Sequence, residues 1–291
     1  MIKPEVFYQW LTNADVEFFS GVPDSLLKDI CAYITDNTPS EKHIIAANEG
    51  NSVALAAGYH MATGTIPLVY MQNSGLGNTV NPLLSLTNKQ VYDIPILMMI
   101  GWRGEPGKKD EPQHITQGRL TLDLLDTMEV PYQILSDDAE EAKEQFNLAI
   151  AHILDNNQPY ALVVRKGLFE SYKMETTIDN SYTMMREEAI LQIVEKLAGN
   201  EMIVSTTGKT SRELFEIRES LGQGHDSDFL TVGCMGHANQ IAVGMALAKP
   251  KRKVICIDGD GALLMHMGSM AIIGAVSPKN FIHIVINNGS H

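Results

Sequence analysis

The chain is poor in cysteine and in positive charge, and it has no long apolar run. Its three cysteines, Cys31, Cys234 and Cys256, form no CxxC pair and have no histidine at metal-ligand spacing, so we predict reduced, buried thiols. Lysine and arginine total 22 against 35 acidic residues, a formal net charge of −13. Nucleic acid is therefore an improbable partner, because neutralising phosphates requires a basic surface.

Membrane and export signals are also missing. No apolar stretch reaches the length of a membrane span, and the first ten residues, MIKPEVFYQW, lack the apolar core of a signal peptide. The sequence therefore predicts a cytoplasmic protein with no membrane partner.

Residues 1–172 alternate between short apolar runs and helical patterns. The predicted strands are 16–20, 42–46, 66–71, 94–100, 131–135 and 160–164. The predicted helices are 4–13, 25–36, 50–63, 77–88, 117–127 and 138–156. This alternation predicts a doubly wound parallel sheet with helices on both faces. Residues 173–185 are polar and aperiodic, and we predict a linker there.

The same alternation restarts at residue 186 and predicts a second α/β domain over 186–291. Its predicted helices are 186–198, 210–220, 238–248 and 262–276. Its predicted strands are 202–206, 229–232, 253–258 and 281–287. A doubly wound domain normally continues with another helix, so we expect this domain to be C-terminally truncated. We also expect apolar surface to be exposed on 262–276 and 281–287, and 287–291 to be poorly anchored.

Polar residues follow two strands of the second domain. Gly259-Asp260-Gly261 follows one predicted strand, and Asn287-Asn288 follows the other. A hairpin turn at the glycines is the alternative reading, but the apolar helix between the strands predicts a crossover and a parallel pair. A carboxylate and a carboxamide should then meet at one sheet edge, where they suit Mg²⁺ or Ca²⁺. Glycines on both sides of Asp260 allow close approach of a diphosphate.

Glu49 is the candidate acid of the first domain. It stands in Asn48-Glu49-Gly50-Asn51, between the predicted strand 42–46 and an Ala-rich helix. Such a glutamate can complement the helix dipole. Beside an aromatic ring, burial would instead raise its pKa and suit it to acid–base work.

Six segments carry a resemblance along the whole chain. They are SGVPDSLL (20–27), ANEGN (47–51), QNSGLGN (72–78), GWRGEPG (101–107), DEPQH (110–114) and TGKTSREL (207–214). They look like the phosphonopyruvate decarboxylases, thiamine diphosphate enzymes that are close to the sulfopyruvate decarboxylases. The GDG and NN pair resembles the diphosphate-binding motif of such enzymes. The resemblance implies a pyrimidine-binding (PYR-type) domain over 1–172, a linker over 173–185 and a diphosphate-binding (PP-type) domain over 186–291.

The resemblance also implies an activity and site residues. The implied reaction converts 3-phosphonopyruvate to phosphonoacetaldehyde and CO₂, with thiamine diphosphate and Mg²⁺, in phosphonate biosynthesis. The implied catalytic residues are Glu49, Asp24 and His114, with Asp24 alternatively a helix N-cap and His114 in a loop over 101–116. The implied cofactor-binding residues are Glu49, Gly208, Lys209, Met235, Gly259, Asp260, Gly261 and Asn288. The implied metal ligands are Asp260, Asn288 and the Ser290 carbonyl.

A doubly anionic substrate needs cations, which an acidic protein must supply locally. Arg103 is the better candidate, because its guanidinium fork matches a phosphonate, whereas Lys108 and Lys109 suit a solvated loop. Lys209 is an equal candidate. The run from Ile203 to Thr210 lacks the first glycine of a P-loop, so we reject an NTPase.

The resemblance implies at least a homodimer, with the active site shared between subunits. Three other functions remain open. A sulfopyruvate decarboxylase would differ only in the distal anion of its substrate. A carboligase often has a central spacer domain, which this sequence lacks. A non-catalytic fragment could keep the fold, although Glu49, Asp260 and Asn288 are all in place.

Overall fold

The computed structural model describes residues 1–176 and 182–289. The chain divides into two compact units, Met1–Thr177 and Ile178–His291. The division falls inside the predicted linker, and residues 171–176 and 182–185 belong to no helix or strand. No helix in the described part of the chain is both long and apolar enough to cross a membrane.

The first unit contains a six-stranded parallel sheet. Its strands are β1 (Phe19–Gly21), β2 (His43–Ile45), β3 (Leu68–Gln72), β4 (Leu97–Gly101), β5 (Tyr132–Ile134) and β6 (Tyr160–Val164), in the order β2-β1-β3-β4-β6-β5. Its helices are α1 (Pro4–Asn13), α2 (Lys28–Asn37), α3 (Glu49–Thr63), α4 (Leu76–Pro82), α5 (Pro112–Thr127) and α6 (Ala139–Asn156). A 3₁₀ turn (Asn73–Gly75) precedes α4, and a π turn (Leu83–Thr87) follows it.

The central strands of this sheet are apolar along their whole length, because helices cover both faces. Every residue of β4 and β6 is buried. One face packs against a cluster that includes Phe7 and Phe146, and the other against a cluster that includes Val53 and Leu125. Two separate cores therefore hold the sheet.

The second unit contains a four-stranded parallel sheet. Its strands are β7 (Met202–Ser205), β8 (Asp228–Leu230), β9 (Val254–Gly259) and β10 (Phe281–Ile286), in the order β10-β9-β7-β8. Its helices are α7 (Arg186–Glu195), α8 (Lys209–Ser220), α9 (Ala238–Ala248), α10 (Asp260–Met265) and α11 (Ser269–Val276). The prediction of two α/β units with parallel sheets is confirmed.

Several predicted boundaries are wrong. The helix predicted over 262–276 is two helices, separated by a turn at 266–268 that contains a glycine. Helix α5 begins at Pro112, so His114 lies in its first turn rather than in a loop, since proline is favoured at that first position. Helix α2 begins at Lys28 after Leu27, so Asp24 is not its N-cap.

The prediction of three buried thiols is also wrong. Cys256 is buried in β9 and Cys31 is half-buried, whereas Cys234 is exposed. Cys234 lies at φ 58°, in a left-handed turn before α9, where no neighbouring element covers its side chain.

Apolar side chains are exposed on β10 and on α11, as predicted. Ile282 and Val285 of β10 and Met270 and Ile272 of α11 are among them. The prediction of weak anchoring after β10 is wrong for 287–289, because the backbone N–H groups of Asn288 and Gly289 both donate to Asp260. Residues 290 and 291 lie outside the described part of the chain.

Candidate active site

Asp24 lies at the carboxyl edge of the first unit's sheet, three residues after β1. Asp24 is 5 % exposed. The Leu26 backbone N–H donates to Oδ2 over 2.9 Å, and the Gln72 side-chain amide donates to Oδ1 over 2.8 Å. Ser74 Oγ donates to Gln72 Oε1, which turns the amide N–H toward Asp24.

The neighbouring strand leaves space for this carboxyl group. A Cβ added to Gly101, at the end of β4, would lie 2.1 Å from Asp24 Oδ2, so the position requires glycine. Burial raises the pKa of Asp24, and the hydrogen bonds from Gln72 and Leu26 and the positive charge of Arg103 offset this only in part. Asp24 therefore keeps its proton to a higher pH than an exposed aspartate.

Glu49 is the first residue of α3 and is 5 % exposed. Asn48 caps the helix, because its Oδ1 accepts the Asn51 backbone N–H over 2.9 Å. The Asn78 side-chain amide donates to Glu49 Oε2 over 2.7 Å. The structure thus places Glu49 at a helix N-terminus, as the sequence predicts, while its catalytic role stays a prediction.

Arg103 follows β4 and is paired with Asp110. Its Nε and Nη2 donate to the two carboxylate oxygens, and Nη1 donates to Ser25 Oγ. The Arg103 hydrogen bond holds the pKa of Asp110 far below its usual value. These bonds use three of the five guanidinium N–H groups, so one N–H on each Nη remains for another acceptor.

His114 lies near the same charges. Its Nδ1 is buried, and no atom in the described part of the chain is hydrogen-bonded to it. Burial and, next, the positive charge of Arg103 lower the pKa of His114, although Asp110 and Asp24 act in the opposite direction. The neutral imidazole is therefore favoured.

In the second unit, β9 and β10 end side by side, as the sequence predicts. Their register pairs Gly259 with Ile286. Asp260 Oδ2 accepts the backbone N–H groups of Asn288 at 3.1 Å and Gly289 at 3.2 Å. The structure therefore brings Asp260 and Asn288 together, through the Asn288 main chain. The third predicted ligand, Ser290, lies outside the described residues.

Five predicted cofactor residues line one cavity of about 270 Å³ within this unit: Lys209, Met235, Gly259, Asp260 and Gly261. Gly208 and Asn288 are not among the lining residues. Arg186 and Thr206 also line the cavity. Thr206 Oγ1 is buried and has no hydrogen-bond partner in the described structure, so a ligand with polar atoms would satisfy it.

The N-terminus of α8 also faces this region. Gly208 is the N-cap, and no side chain caps the helix. The first N–H groups of a helix lack intrahelical acceptors and attract anions. Together with Lys209, the orphaned Thr206 hydroxyl and the Asp260 carboxylate, these groups fit a diphosphate bound with a divalent metal ion.

Sequence reasoning missed the side chains that hold the predicted site residues. Gln72, Asn78 and Asp110 all occur in the segments that carry the resemblance, but nothing in their spacing indicates which carboxyl or guanidinium group they contact. Thr206 gave no sequence signal, since its importance depends on a hydroxyl left without a partner.

A second polar cluster was also missed. Cys256, Asp258 and His283 of β9 and β10 have potential ligand atoms within 4.8 Å of one another. Burial raises the pKa of the Cys256 thiol, which disfavours the thiolate that metals bind. Asp258 already accepts hydrogen bonds from Gly259, Asn239 and His283. The cluster therefore fits a hydrogen-bonded core better than a metal site.

Comparison with known families matches both units. Residues 4–128 match the N-terminal TPP binding domain of thiamine pyrophosphate enzymes, and residues 206–291 match the C-terminal TPP binding domain. Thiamine pyrophosphate is another name for thiamine diphosphate. The chain therefore belongs to the thiamine pyrophosphate enzymes, and within them to the family of the phosphonopyruvate decarboxylases.

Two relatives carry the narrower assignment, and a third is less similar. The phosphonopyruvate decarboxylase of Streptomyces viridochromogenes is 34% identical over 97% of this chain and 72% of its own length. That of Streptomyces hygroscopicus is 32% identical over 100% of this chain and 74% of its own length. The sulfopyruvate decarboxylase of Methanosarcina acetivorans is 27% identical over 97% of this chain and 74% of its own length.

Proposed function

We propose that this protein decarboxylates 3-phosphonopyruvate to phosphonoacetaldehyde and CO₂, with thiamine diphosphate and Mg²⁺. The observation that carries the proposal is the 34% identity to a phosphonopyruvate decarboxylase, which extends over 97% of the chain. The product suits a place in the biosynthesis of phosphonates.

We propose that residues of both units hold the cofactor. Asp260, Asn288 and Ser290 are the proposed Mg²⁺ ligands, and Gly208, Lys209, Gly259 and Gly261 are proposed to hold the diphosphate, with Met235 supporting the cofactor. Glu49 is the proposed activating acid. When bound, thiamine diphosphate supplies the acceptor for the electron pair of the breaking carbon–carbon bond.

The carbon atom that loses CO₂ must take up a proton before the aldehyde leaves. Asp24 and His114 are the two proposed donors. The raised pKa of Asp24 supports it as the donor, because a protonated carboxyl group is available closer to neutral pH. The lowered pKa of His114 suits a neutral imidazole that accepts hydrogen bonds.

Arg103 and Lys209 are the proposed partners of the substrate's anionic groups. Arg103 keeps two N–H groups beyond those bonded to Asp110 and Ser25. Its pair with Asp110 would hold the guanidinium in one orientation, which suits a fixed phosphonate site.

The deciding experiment measures CO₂ release from phosphonopyruvate, sulfopyruvate and pyruvate, each with thiamine diphosphate and Mg²⁺. We expect the highest kcat/KM with phosphonopyruvate. The Glu49→Gln variant should lower the rate of release by about 100-fold or more, while Glu41→Gln, at an exposed position, should not. No release from any of the three substrates would overturn the proposal and favour a non-catalytic role.

Sulfopyruvate decarboxylation is the second candidate, supported by the 27% identity to the Methanosarcina acetivorans enzyme. The two substrates differ in the distal group, a phosphonate or a sulfonate. Higher kcat/KM with sulfopyruvate in the same assay would favour this candidate.

Three further expectations are proposals. We propose that the chain works in the cytoplasm as at least a homodimer with an active site shared between subunits, and that its domains are 1–172 and 186–291, joined by 173–185. Light scattering after size-exclusion chromatography measures the mass in solution, and 32.0 kDa is the mass of one chain. A mass of one chain in the active preparation would contradict the dimer.

A further inference from the structure

Arg186 is a second cation of the cavity in the second unit, beside Lys209. It is the first residue of α7, and it lines the cavity together with Lys209, Gly259, Asp260 and Gly261. The other four residues are proposed to hold the diphosphate and its metal ion. Arg186 therefore borders the same space as the proposed diphosphate ligands.

One carboxylate holds the Arg186 side chain. Arg186 Nε donates to Glu213 Oε2 over 2.7 Å, and Nη2 donates to Glu213 Oε1 over 2.6 Å. Glu213 belongs to α8, about one turn after Lys209. Since a bidentate pair has a defined geometry, Glu213 holds the Arg186 guanidinium against the helix whose first residues line the cavity.

This pair leaves hydrogen-bond donors for another acceptor. It uses two of the five guanidinium N–H groups, and no atom in the described part of the chain accepts a hydrogen bond from the other three. One N–H of Nη1 and one of Nη2 remain parallel at the end of the guanidinium. Two parallel N–H groups are the arrangement with which arginine binds a phosphate bidentately.

Helix stability does not explain an arginine at this position. The first turn of a helix favours acidic residues, such as Glu187 and Glu188 here, and disfavours a cation. The ion pair with Glu213 is partly exposed, with 33 % of the arginine side chain and 19 % of the glutamate side chain accessible. Ion pairs with such exposure contribute little to stability. A ligand with several negative charges would give the cation a function that neither the helix nor the ion pair supplies.

We propose that Arg186 is a binding residue for the diphosphate group of the cofactor. Its guanidinium would add a bidentate contact to the attraction that Lys209 and the N-terminus of α8 supply. The importance of this contact for catalysis rests on the proposed function, whereas the binding of a diphosphate does not depend on the identity of the substrate.

Calorimetry tests the binding role directly. It measures the affinity of the protein for inorganic diphosphate and, separately, for thiamine diphosphate, each with Mg²⁺. We expect Arg186→Ala to raise the Kd of both ligands by about tenfold or more, the effect of losing a hydrogen bond between charged groups. Lys196→Ala is the matched control, because it removes an exposed cation at the other end of α7. It should leave both Kd values unchanged.

A second pair of variants separates ligand binding from the ion pair. Arg186→Ala leaves Glu213 without its partner, and an unpaired carboxylate would itself repel a diphosphate. Arg186→Ala is therefore also made in a Glu213→Gln background, where the double variant should bind both ligands about tenfold or more weakly than Glu213→Gln alone. Equal Kd values for these two variants would overturn the proposal, because Arg186 would then act through the ion pair alone. Urea denaturation shows which variants fold, and Arg186→Gln replaces Arg186→Ala in both comparisons if the alanine variants do not.

CO₂ release separates the binding role of Arg186 from the proposed function. If the wild type releases CO₂ from phosphonopyruvate and the loss of Arg186 leaves both Kd values unchanged, the binding role fails and the proposed function stands. If the wild type releases no CO₂ from any of the three substrates and the double variant still binds inorganic diphosphate more weakly, the proposed function fails and the binding role stands. No binding of either ligand by the wild type would also overturn the binding role.

Discussion

At the scale of single residues, two buried carboxyl groups of the first unit receive side-chain hydrogen bonds from amides. Gln72 donates to Asp24, and Asn78 donates to Glu49. A carboxylate that loses water needs such donors, because burial without them is costly. For Asp24, the hydrogen bond from Gln72 offsets part of the burial that raises the pKa.

We expect Glu49→Gln to keep the fold and most of the affinity for thiamine diphosphate, but to lower kcat by about 100-fold or more. The glutamine keeps the volume of the side chain and cannot transfer the proton. Calorimetric binding and single-turnover rates measure the two effects separately. Loss of cofactor binding with unchanged activity per bound cofactor would contradict the assigned role.

Arg103 permits a second prediction at this scale. Arg103→Ala should raise the KM for phosphonopyruvate by about tenfold or more, the effect of a lost hydrogen bond to a charged group, and should change the KM for pyruvate far less. Lys108→Ala removes an exposed cation from the same loop and serves as the control. An equal rise for both substrates would place Arg103 outside the phosphonate site.

At the scale of elements, helix termini position much of the candidate site. Glu49 opens α3, Lys209 opens α8 and Asp260 opens α10. Each helix follows a strand at the carboxyl edge of its sheet, where parallel α/β sheets bind their ligands. The strand-to-helix turns thus place acids and N–H groups at the carboxyl edge of each sheet.

The cap of α6 provides a test of element stability at a position with no proposed role in the candidate site. Asp138 accepts the backbone N–H groups of Glu140 and Glu141, both at 3.0 Å. We expect Asp138→Ala to lower the free energy of unfolding by about 1 kcal/mol. Asp137→Ala, at the preceding exposed position, should have little effect on urea denaturation. Equal effects of both substitutions would contradict the capping role.

At the scale of the whole molecule, groups with shifted pKa values determine how stability depends on pH. Burial lowers the pKa of His43 from 6.5 to about 4. Hydrogen bonds from Thr176 and Glu175 lower that of Asp36 to about 2. Both shifts make the unfolded chain bind more protons than the folded one, so stability falls with falling pH. The raised pKa of Asp24 acts in the opposite direction.

We therefore expect the free energy of unfolding to decrease as the pH falls from about 6.5 to about 4, where unfolded His43 is protonated and folded His43 is not. Below the folded pKa, His43 contributes no further loss. The His43→Gln variant should reduce this dependence, and His60→Gln controls for the loss of a histidine elsewhere. Denaturation curves across this pH range measure it, and an unchanged slope in His43→Gln would contradict the assignment.

Local patterns in the sequence were enough to predict the parallel sheets. They also predicted that β9 and β10 end at the same edge of their sheet. Alternating apolar runs and helical periods reflect burial on two faces, and this information is local. The break within the predicted helix 262–276 was not predicted, because the stretches on both sides of His266-Met267-Gly268 are rich in apolar residues. Likewise, the helical position of His114 depended on the proline at the start of α5, which a loop rich in glycine and proline obscured.

Only the tertiary structure decided which side chains support the candidate site. Asn78 and Glu49 are 29 residues apart, and Gln72 and Asp24 are 48 apart. Such pairs meet because neighbouring strands of a parallel sheet are joined by crossovers, so contacts at the sheet edge join distant parts of the chain. The sequence alone therefore determined the fold class and the candidate acids, whereas their hydrogen-bond partners depended on tertiary packing.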